Sequence, residues 1–339
     1  MSIVNELTYL INDSLTKKVA LFNEGAAKYS DQAAREGFFE ILGEDKLTYQ
    51  NWRRHKIECF EVMENILNTN LPLAWEDSLF YDQFVEKKNG RIGDTNEFYV
   101  EDNSILTTSR FSGNHWHTNR QKLQGNKGFS VSTEWVYIRV YDELERFLKG
   151  TVTLAGMVEK LQKSFNSDID ARIYSSFNSI ATFIPAAFQE TGNYDKNTMS
   201  KLIQRVQTAS QKDVILAGSR FAMAHIVDGI DGHRMSEQQK EELATKGLLL
   251  NFTGLGVTGV EIPQVFIRGT YDFKVDNNSI FVLPNNEKFI KLFFEGDTRA
   301  REMHEKDNED QTIDTQVQTK VGVGVIVSNL IGKYTIIGD

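Results

Sequence analysis

The chain has 339 residues, 47 acidic and 38 basic, with a formal charge of −9 and 40% hydrophobic residues. That length can bury a sizeable core, in about two domains at ~150 residues each, and the charge gives no support to a strongly basic nucleic-acid binder. The single cysteine, Cys59, excludes an intrachain disulfide and a multi-cysteine metal site.

No stretch reaches the ~18 apolar residues of a membrane span, and the N-terminus lacks the basic-then-apolar pattern of a secretion signal. The setting expected from this is cytoplasmic and soluble.

In chain order, Val4, Leu7, Ile11, Leu15, Val19 and Phe22 recur at helical spacing. A second helical run carries Trp52, Cys59, Phe60, Met63, Ile66 and Leu67 and is expected to stop at Asn68-Thr69-Asn70. Within it Cys59 reads as a small buried hydrophobe. These helices stand apart in sequence from the later strands, so they are expected to lie on a neighbour as an arm, without a core of their own.

From Leu73 to about Phe129 the pattern turns polar and turn-rich, longer than a loop without structure usually runs. EFYV and SILTTSRF are expected to pair there as a ribbon projecting from the body, and an isolated ribbon is marginal in water. FSVSTEWVYIRVYDELERFL reads as a strand entering a short helix. Leu154, Met157, Val158, Leu161, Phe165, Ile169, Ile173, Phe177, Ile180 and Ile184 then define one helix ended by Pro185. At about thirty residues it spans ~45 Å.

Beyond Pro185 the texture is mixed. KNTMSKLIQRVQTAS is an amphipathic helix, DVILAG a short buried strand and SRFAMAHIV a helix. Ser236 and Gln239 form a capping box for SEQQKEELATK, with Gly247 at its C-terminal cap. LLLNF, QVFIRGTYDF, SIFVLP, EKFIKLFF, TIDTQVQTKVGVGVIV and KYTIIG follow as strands, with GDTRAREMHEKDNED as a surface loop or short helix.

Gly254 to Gly259 match the G-x-G-x-x-G spacing of a dinucleotide-binding loop. Such a site needs a helix after the loop to face the pyrophosphate. Pro263 breaks the turn that helix would occupy, so a glycine-bearing connection between strands is expected instead. His115 and His117 have metal-ligand spacing without a third ligand tied to them. His225, Asp228, Asp231 and His233 suit a helix face and a polar turn. Gly218-Ser219 lacks the glycines of a nucleophile elbow, and Asp307 to Asp310 lack those of a calcium loop. Arg53-Arg54-His55-Lys56 reads as an exposed helix face, with contact to phosphates as the alternative.

The block order of arm, polar ribbon, strand into long helix, mixed region and late strands resembles the major capsid protein of tailed bacteriophages. Its Hong Kong 97-type fold is shared with encapsulins. DVILAGSRFAMAHI is similar to that family's axial strand and helix. EKFIKLFFEGD and TIDTQVQTKVGVGVIVSNLIGKYTIIG are similar to its closing peripheral strands and last axial strand. The resemblance implies an α+β fold with a helical N-terminal arm over residues 1–71. A peripheral domain over 72–187 would include an extended loop at about 86–110 and a spine helix at about 153–184. An axial domain over 188–290, peripheral strands over 291–328 and a final axial strand over 329–339 would complete it.

By the same resemblance the chain is a non-enzymatic shell subunit without cofactor or metal. It would assemble in the cytoplasm of a bacterial host, as hexamers and pentamers, into an icosahedral virion head around double-stranded DNA. That DNA would be touched on the inner face without sequence specificity, and no membrane is involved. Scaffolding, portal and decoration proteins are left open as partners. Inter-subunit contacts are expected at Lys87, Lys88, Arg91, Asp94, Phe98, Tyr99 and Arg110. Some members crosslink through a loop lysine, but no partner asparagine or acid is assigned to Lys87 or Lys88. An encapsulin-like nanocompartment is the nearest alternative, and seventy residues before the ribbon weigh towards the phage form. A nucleotide-binding enzyme using Gly254 to Gly259 is the third reading.

Overall fold

The apolar repeat after Gly150 becomes the longest helix of the fold, and both halves of the molecule are built on it. The computed structural model describes residues 3–15, 31–43, 48–73, 79–100, 106, 108, 120–122, 125, 127–143, 153–228, 237–246, 251–252, 255–267, 269–302 and 312–337.

The N-terminal elements are α1 (Ile3–Leu15), α2 (Asp31–Leu42), α3 (Tyr49–Leu73) and α4 (Leu79–Phe84). Strands β1 (Val85–Gly90), β2 (Glu97–Val100), β3 (Lys127–Ser130) and β4 (Glu134–Glu143) lead to the long helix α5 (Leu154–Ile180). Then come β5 (Gln189–Gly192), α6 (Lys196–Ser210), β6 (Val214–Gly218), α7 (Arg220–Asp228), α8 (Glu237–Lys246), β7 (Asn251–Phe252) and β8 (Val257–Glu261). The chain closes with β9 (Ser279–Pro284), β10 (Ile290–Glu295), β11 (Arg299–Glu302), β12 (Thr312–Val325) and β13 (Gly332–Ile336).

Helix α5 starts at Thr153, whose side chain accepts from the Gly156 amide at 3.1 Å and satisfies one free N-terminal donor. It ends by tightening into a 3-10 turn at Ala181–Phe183, after which Ile184 is extended ahead of Pro185. Its buried stripe divides. Leu154, Val158, Leu161 and Phe165 enter a core with the N-terminal helices, while Ile169, Ile173, Phe177 and Ile180 enter one between the two sheets.

The first sheet has the order β1-β10-β12-β11, with β4 also on β12. Strand β12 takes β10 along Val321–Val325, β11 along Thr315–Gln318 and β4 along Thr312–Val321. The second sheet runs β5-β13-β9-β6-β8-β7. Its central strands alternate between two cores. Ile215, Ala217, Phe281 and Leu283 face the α5 core, and Val214, Leu216, Ile280 and Val282 face α6 and α7.

Several expectations are corrected. The N-terminal helices own an intrachain core: Leu7, Ile11, Trp52, Cys59, Met63, Ile66 and Leu67 pack on Leu154, Val158, Leu161, Phe165 and Val317. The first half of α5 would otherwise leave its apolar stripe bare, and α3 covers it. Helix α3 also continues through Asn68-Thr69-Asn70 to Leu73. Those polar side chains make tertiary bonds, Asn68 Oδ1 accepting from the Thr298 amide at 2.6 Å and Asn70 donating to Asn12 at 3.5 Å.

Residues 86–90, expected in the ribbon, belong to β1, which pairs in parallel with β10 and sets Glu86 opposite Lys291. EFYV pairs with Lys127–Ser130 in place of SILTTSRF, which lies largely outside the described residues. Arg299–Glu302 is a strand, because β12 is long enough to template a second neighbour beyond the end of β10. QVFIRGTYDF is an irregular finger held by one bridge, Phe266 to Phe273. Outside the described residues lie Val19, Phe22, Arg110, His115, Trp116, His117, the helix expected after β4, Asp231, His233, Ser236, Gly247 and Asp307 to Asp310.

Candidate inter-subunit surface at the base of the extended hairpin

Strands β2 and β3 form a two-stranded hairpin that stands on the first sheet. Phe98 anchors it. This side chain is 0% exposed and packs with Val131 and Phe293, its ring meeting Phe293 edge-on at 6.4 Å. The Lys88 ammonium lies 4.5 Å and that of Lys291 5.7 Å from the Phe98 ring centre. Lys88 also donates to the Glu97 carbonyl at 3.2 Å. Lys291 is buried, and Glu86 accepts from it at 2.5 Å. Burial opposes ionisation of Glu86, yet the hydrogen bond and charge of Lys291, with Lys88 behind it, hold its carboxyl below the usual range.

A second anchor is Glu295, 4% exposed at the end of β10. Its carboxylate accepts from Lys320 at 2.7 Å, from the Thr133 hydroxyl and from the Gly93 amide at 3.1 Å, with Asn96 contributing a further bond. These donors, Lys320 first, hold its carboxyl down at about 2. One carboxylate therefore ties β10, β12, the β3–β4 turn and the entrance to the hairpin.

The expected contact residues separate on these anchors. Lys87 donates to the Pro72 carbonyl at the end of α3 and Lys88 is held on Phe98, so both serve the fold of their own chain. Phe98 is a correction, because its full burial leaves no surface for a neighbour. Arg91 and Asp94 close a tight turn, the Arg91 amide donating to Asp94 Oδ2 at 2.7 Å and the Asp94 amide to the Arg91 carbonyl at 3.1 Å. They line a cleft of about 360 Å³ with Asn68, Asn89 and Asp297. Gly90 is required beside it, since an added Cβ would sit 2.5 Å from the Phe293 ring. Tyr99 is 65% and Phe129 40% exposed. The hairpin faces inward with Phe98, whose register partner Phe129 lies on the same side, and presents Tyr99 outward. Glu295 and Lys291 are absent from the sequence reading, although charged residues inside the IKLFFE run were a signal that each needs a buried partner.

The tested chemistry resolves locally. Leu255 and Gly256 amides both donate to the Phe252 carbonyl at 2.9 Å, and Gly256 has φ +69°. Leu255 and Gly256 form the turn between β7 and β8, residues 257–259 of the motif already lie in β8, and Gly254 lies outside the described residues. Ser219 is buried and its hydroxyl oxygen accepts from the Ala222 amide at 3.2 Å, which makes it the cap of α7. Burial first, and Glu58 second, push the Cys59 thiol up to about 12. His225 keeps a buried Nε2 without a hydrogen-bond partner among the described residues and packs against Phe221. In the basic stretch on α3, His55 pairs with Glu58 at 2.5 Å while Arg53 and Arg54 are exposed. Among the described residues no group of three or more metal-binding side chains occurs, and no helix is long and apolar enough to cross a membrane.

A long helix spanning two cores, a sheet beside each and a hairpin standing off the first sheet make an α+β fold. The family described as "SPbeta prophage-derived putative capsid protein YonB" matches residues 8–335, and the chain belongs to that family. No curated protein matches the sequence.

Among solved structures, the capsid of cyanophage Pam1 is similar at 11% identity and a TM-score of 0.49, over 78% of this chain and 93% of that one. A Gordonia phage Cozz chain is similar at 11% identity and 0.45, over 94% and 99%. The virus-like particle from Pyrococcus furiosus is similar at 12% identity and 0.41, over 81% and 98%.

Proposed function

We propose that this capsid protein is the major shell subunit of a tailed bacteriophage, self-assembling through hexamers and pentamers into an icosahedral head around double-stranded DNA. The observation that carries the reading is the β2–β3 hairpin. Its base is fixed to the first sheet by Phe98 and Glu295, while Tyr99, on the opposite face of the ribbon from Phe98 and its partner Phe129, is 65% exposed. A hairpin with four residues in each strand is marginal by itself. Its Phe98 side rests on its own sheet, its Tyr99 side is left for a surface beyond its own chain, and a shell of identical subunits supplies that surface many times over.

Membership of a capsid family supports the same reading. In it, the first sheet with its half of α5 is the peripheral domain, and the second sheet with α6 and α7 is the axial domain. Assembly takes place in the host cytoplasm, and the packaged DNA is contacted without sequence specificity.

The test uses the geometry of the hairpin root, where the Val131 amide donates to the Asn96 carbonyl at 3.2 Å and the Asn96 side chain donates back at 3.2 Å. Residues 97–130 can therefore be replaced by a two-glycine join. The purified parent chain is expected to give shells, tubes or capsomer rings in negative-stain electron microscopy. The shortened chain is expected to unfold cooperatively but to stay unassembled. Closed shells from the shortened chain would refute the assigned role of the hairpin, and a strictly monodisperse parent would refute the capsid reading.

A further inference from the structure

The outer side of the first sheet is covered over one half only. Over β10 the hairpin lies on it through Phe98 and Phe293. Over β4, β11 and the part of β12 that pairs with β11, no described element lies on it. There Trp135, Tyr137 and Tyr141 occupy alternate positions of β4 and are 43%, 65% and 72% exposed. Between them Arg139 pairs with Asp314, and Arg299 of β11 lies 5.6 Å from the Trp135 ring centre.

The register arranges these side chains in rows across three strands. Tyr137 faces Gln318, which faces Arg299, and Arg139 faces Gln316, which faces Arg301. The opposite face of β4 is already used, because Val136, Ile138 and Val140 pack into the core beneath α5.

Tyr, Trp and Arg at the centre, with Gln between them, is the composition of the energetic core of a protein interface; ordinary surface is richer in Lys, Glu and Asp. Strand β4 also pairs only with β12 among the described residues. Ten residues of aromatic-bearing edge are a liability in a free chain unless something covers them. Charge selects the occupant. Among the described side chains of this face, Arg139, Arg299 and Arg301 stand against the acid Asp314, with Lys320 opposite Trp135 held by Glu295, whereas the whole chain is at −9, so acidic residues are in surplus elsewhere on the same chain.

We propose that the outer face of β4, β12 and β11 is a contact between copies, which receives an acidic stretch of a second copy of this chain. The proposal rests on the capsid reading and goes beyond it by naming the surface.

Cysteine protection tests it in the full-length chain. Cys59 is 1% exposed with its thiol pushed up to about 12, so the parent should not react with a maleimide while folded. In Tyr137→Cys and Tyr141→Cys, the new thiol is expected to label fully in unassembled chain and to lose that labelling in particles grown from the purified chain alone. Arg299→Glu with Arg301→Glu is expected to restore labelling or to stop assembly. Full labelling in closed particles would overturn the surface and leave the capsid reading intact. Protection that appears only after another protein is added would assign the face to a different partner and overturn the proposal. Protection that survives the double charge reversal would overturn the acidic occupant, and a parent chain that never associates would remove both readings together.

Discussion

Glu295 offers the sharpest test of how the hairpin is held, because its effect has a definite dependence on pH. Its carboxyl is lowered from 4.5 to about 2 by Lys320, Thr133 and Gly93. The native state therefore holds the ionised form more favourably than the unfolded chain does. A folded pKa below the unfolded one gives stability that is present above pH ~4.5 and is lost as pH falls towards ~2. At ~1.4 kcal/mol for each tenfold change in acidity, that difference sets an upper bound of ~3.5 kcal/mol. The residue lies beneath a thin cover of side chains, and water screening brings the expected value to ~1–2 kcal/mol.

Glu295→Gln keeps the shape and removes the charge. Urea unfolding of unassembled parent and variant, from pH 7 to 3, is the assay. The variant is expected to be less stable by ~1–2 kcal/mol at pH 7, with more than half of that gap gone by pH 3. A gap that is constant with pH, or none at pH 7, would refute the claim that this carboxylate is the tie.

Phe165→Ala removes a fully buried ring from the α3–α5 core and is expected to cost ~3–5 kcal/mol, read as a fall in the global unfolding midpoint. An unchanged midpoint would show that the N-terminal helices do not pack there in solution. Phe98→Ala is expected to act locally, because Phe98 belongs to a small cluster apart from the three large cores. Amide exchange in β2 and β3 should rise towards that of free chain while the global midpoint moves little. A global loss as large as that of Phe165→Ala would place the hairpin inside the cooperative unit.

The parts of this fold that were legible in the sequence are those governed by one periodicity. Helix α5 was visible because its stripe repeats every three or four residues and Pro185 ends it, and β6, β9, β10 and β12 were visible as apolar or alternating runs. The ribbon partner of EFYV was not legible. Strand pairing is a long-range choice, and KGFS carries no stronger local signal than SILTTSRF. Strand β1 was hidden for a different reason. EKKNG is polar, and it becomes a strand because Glu86 meets Lys291 and the edge of β10 needs a partner. The core of the N-terminal helices was missed because amphipathicity shows that a face is buried without showing against what. For the candidate surface, Lys87, Lys88 and Phe98 are engaged by their own chain, which their polar and turn-rich surroundings in sequence did not show; the face on β4 went unmarked because its aromatics read as ordinary strand residues.

The two anchors and the bare face together set the direction in which a neighbour can approach. Glu295 binds the entrance of the hairpin through Gly93 and Asn96 and binds β12 through Lys320. The root of the hairpin is thereby fixed to Lys320 of β12, the residue that pairs with Trp135 of β4. Under the proposed contacts, a copy on the hairpin and a copy on β4 sit at an angle defined by one continuous strand. Shell curvature requires that angle to be reproducible, and a 14-residue strand bonded along both edges holds it better than a loop would. Weakening Glu295 should accordingly affect the uniformity of particle size before it abolishes assembly. Parent-like size distributions from Glu295→Gln at neutral pH would show that the hairpin root does not set curvature.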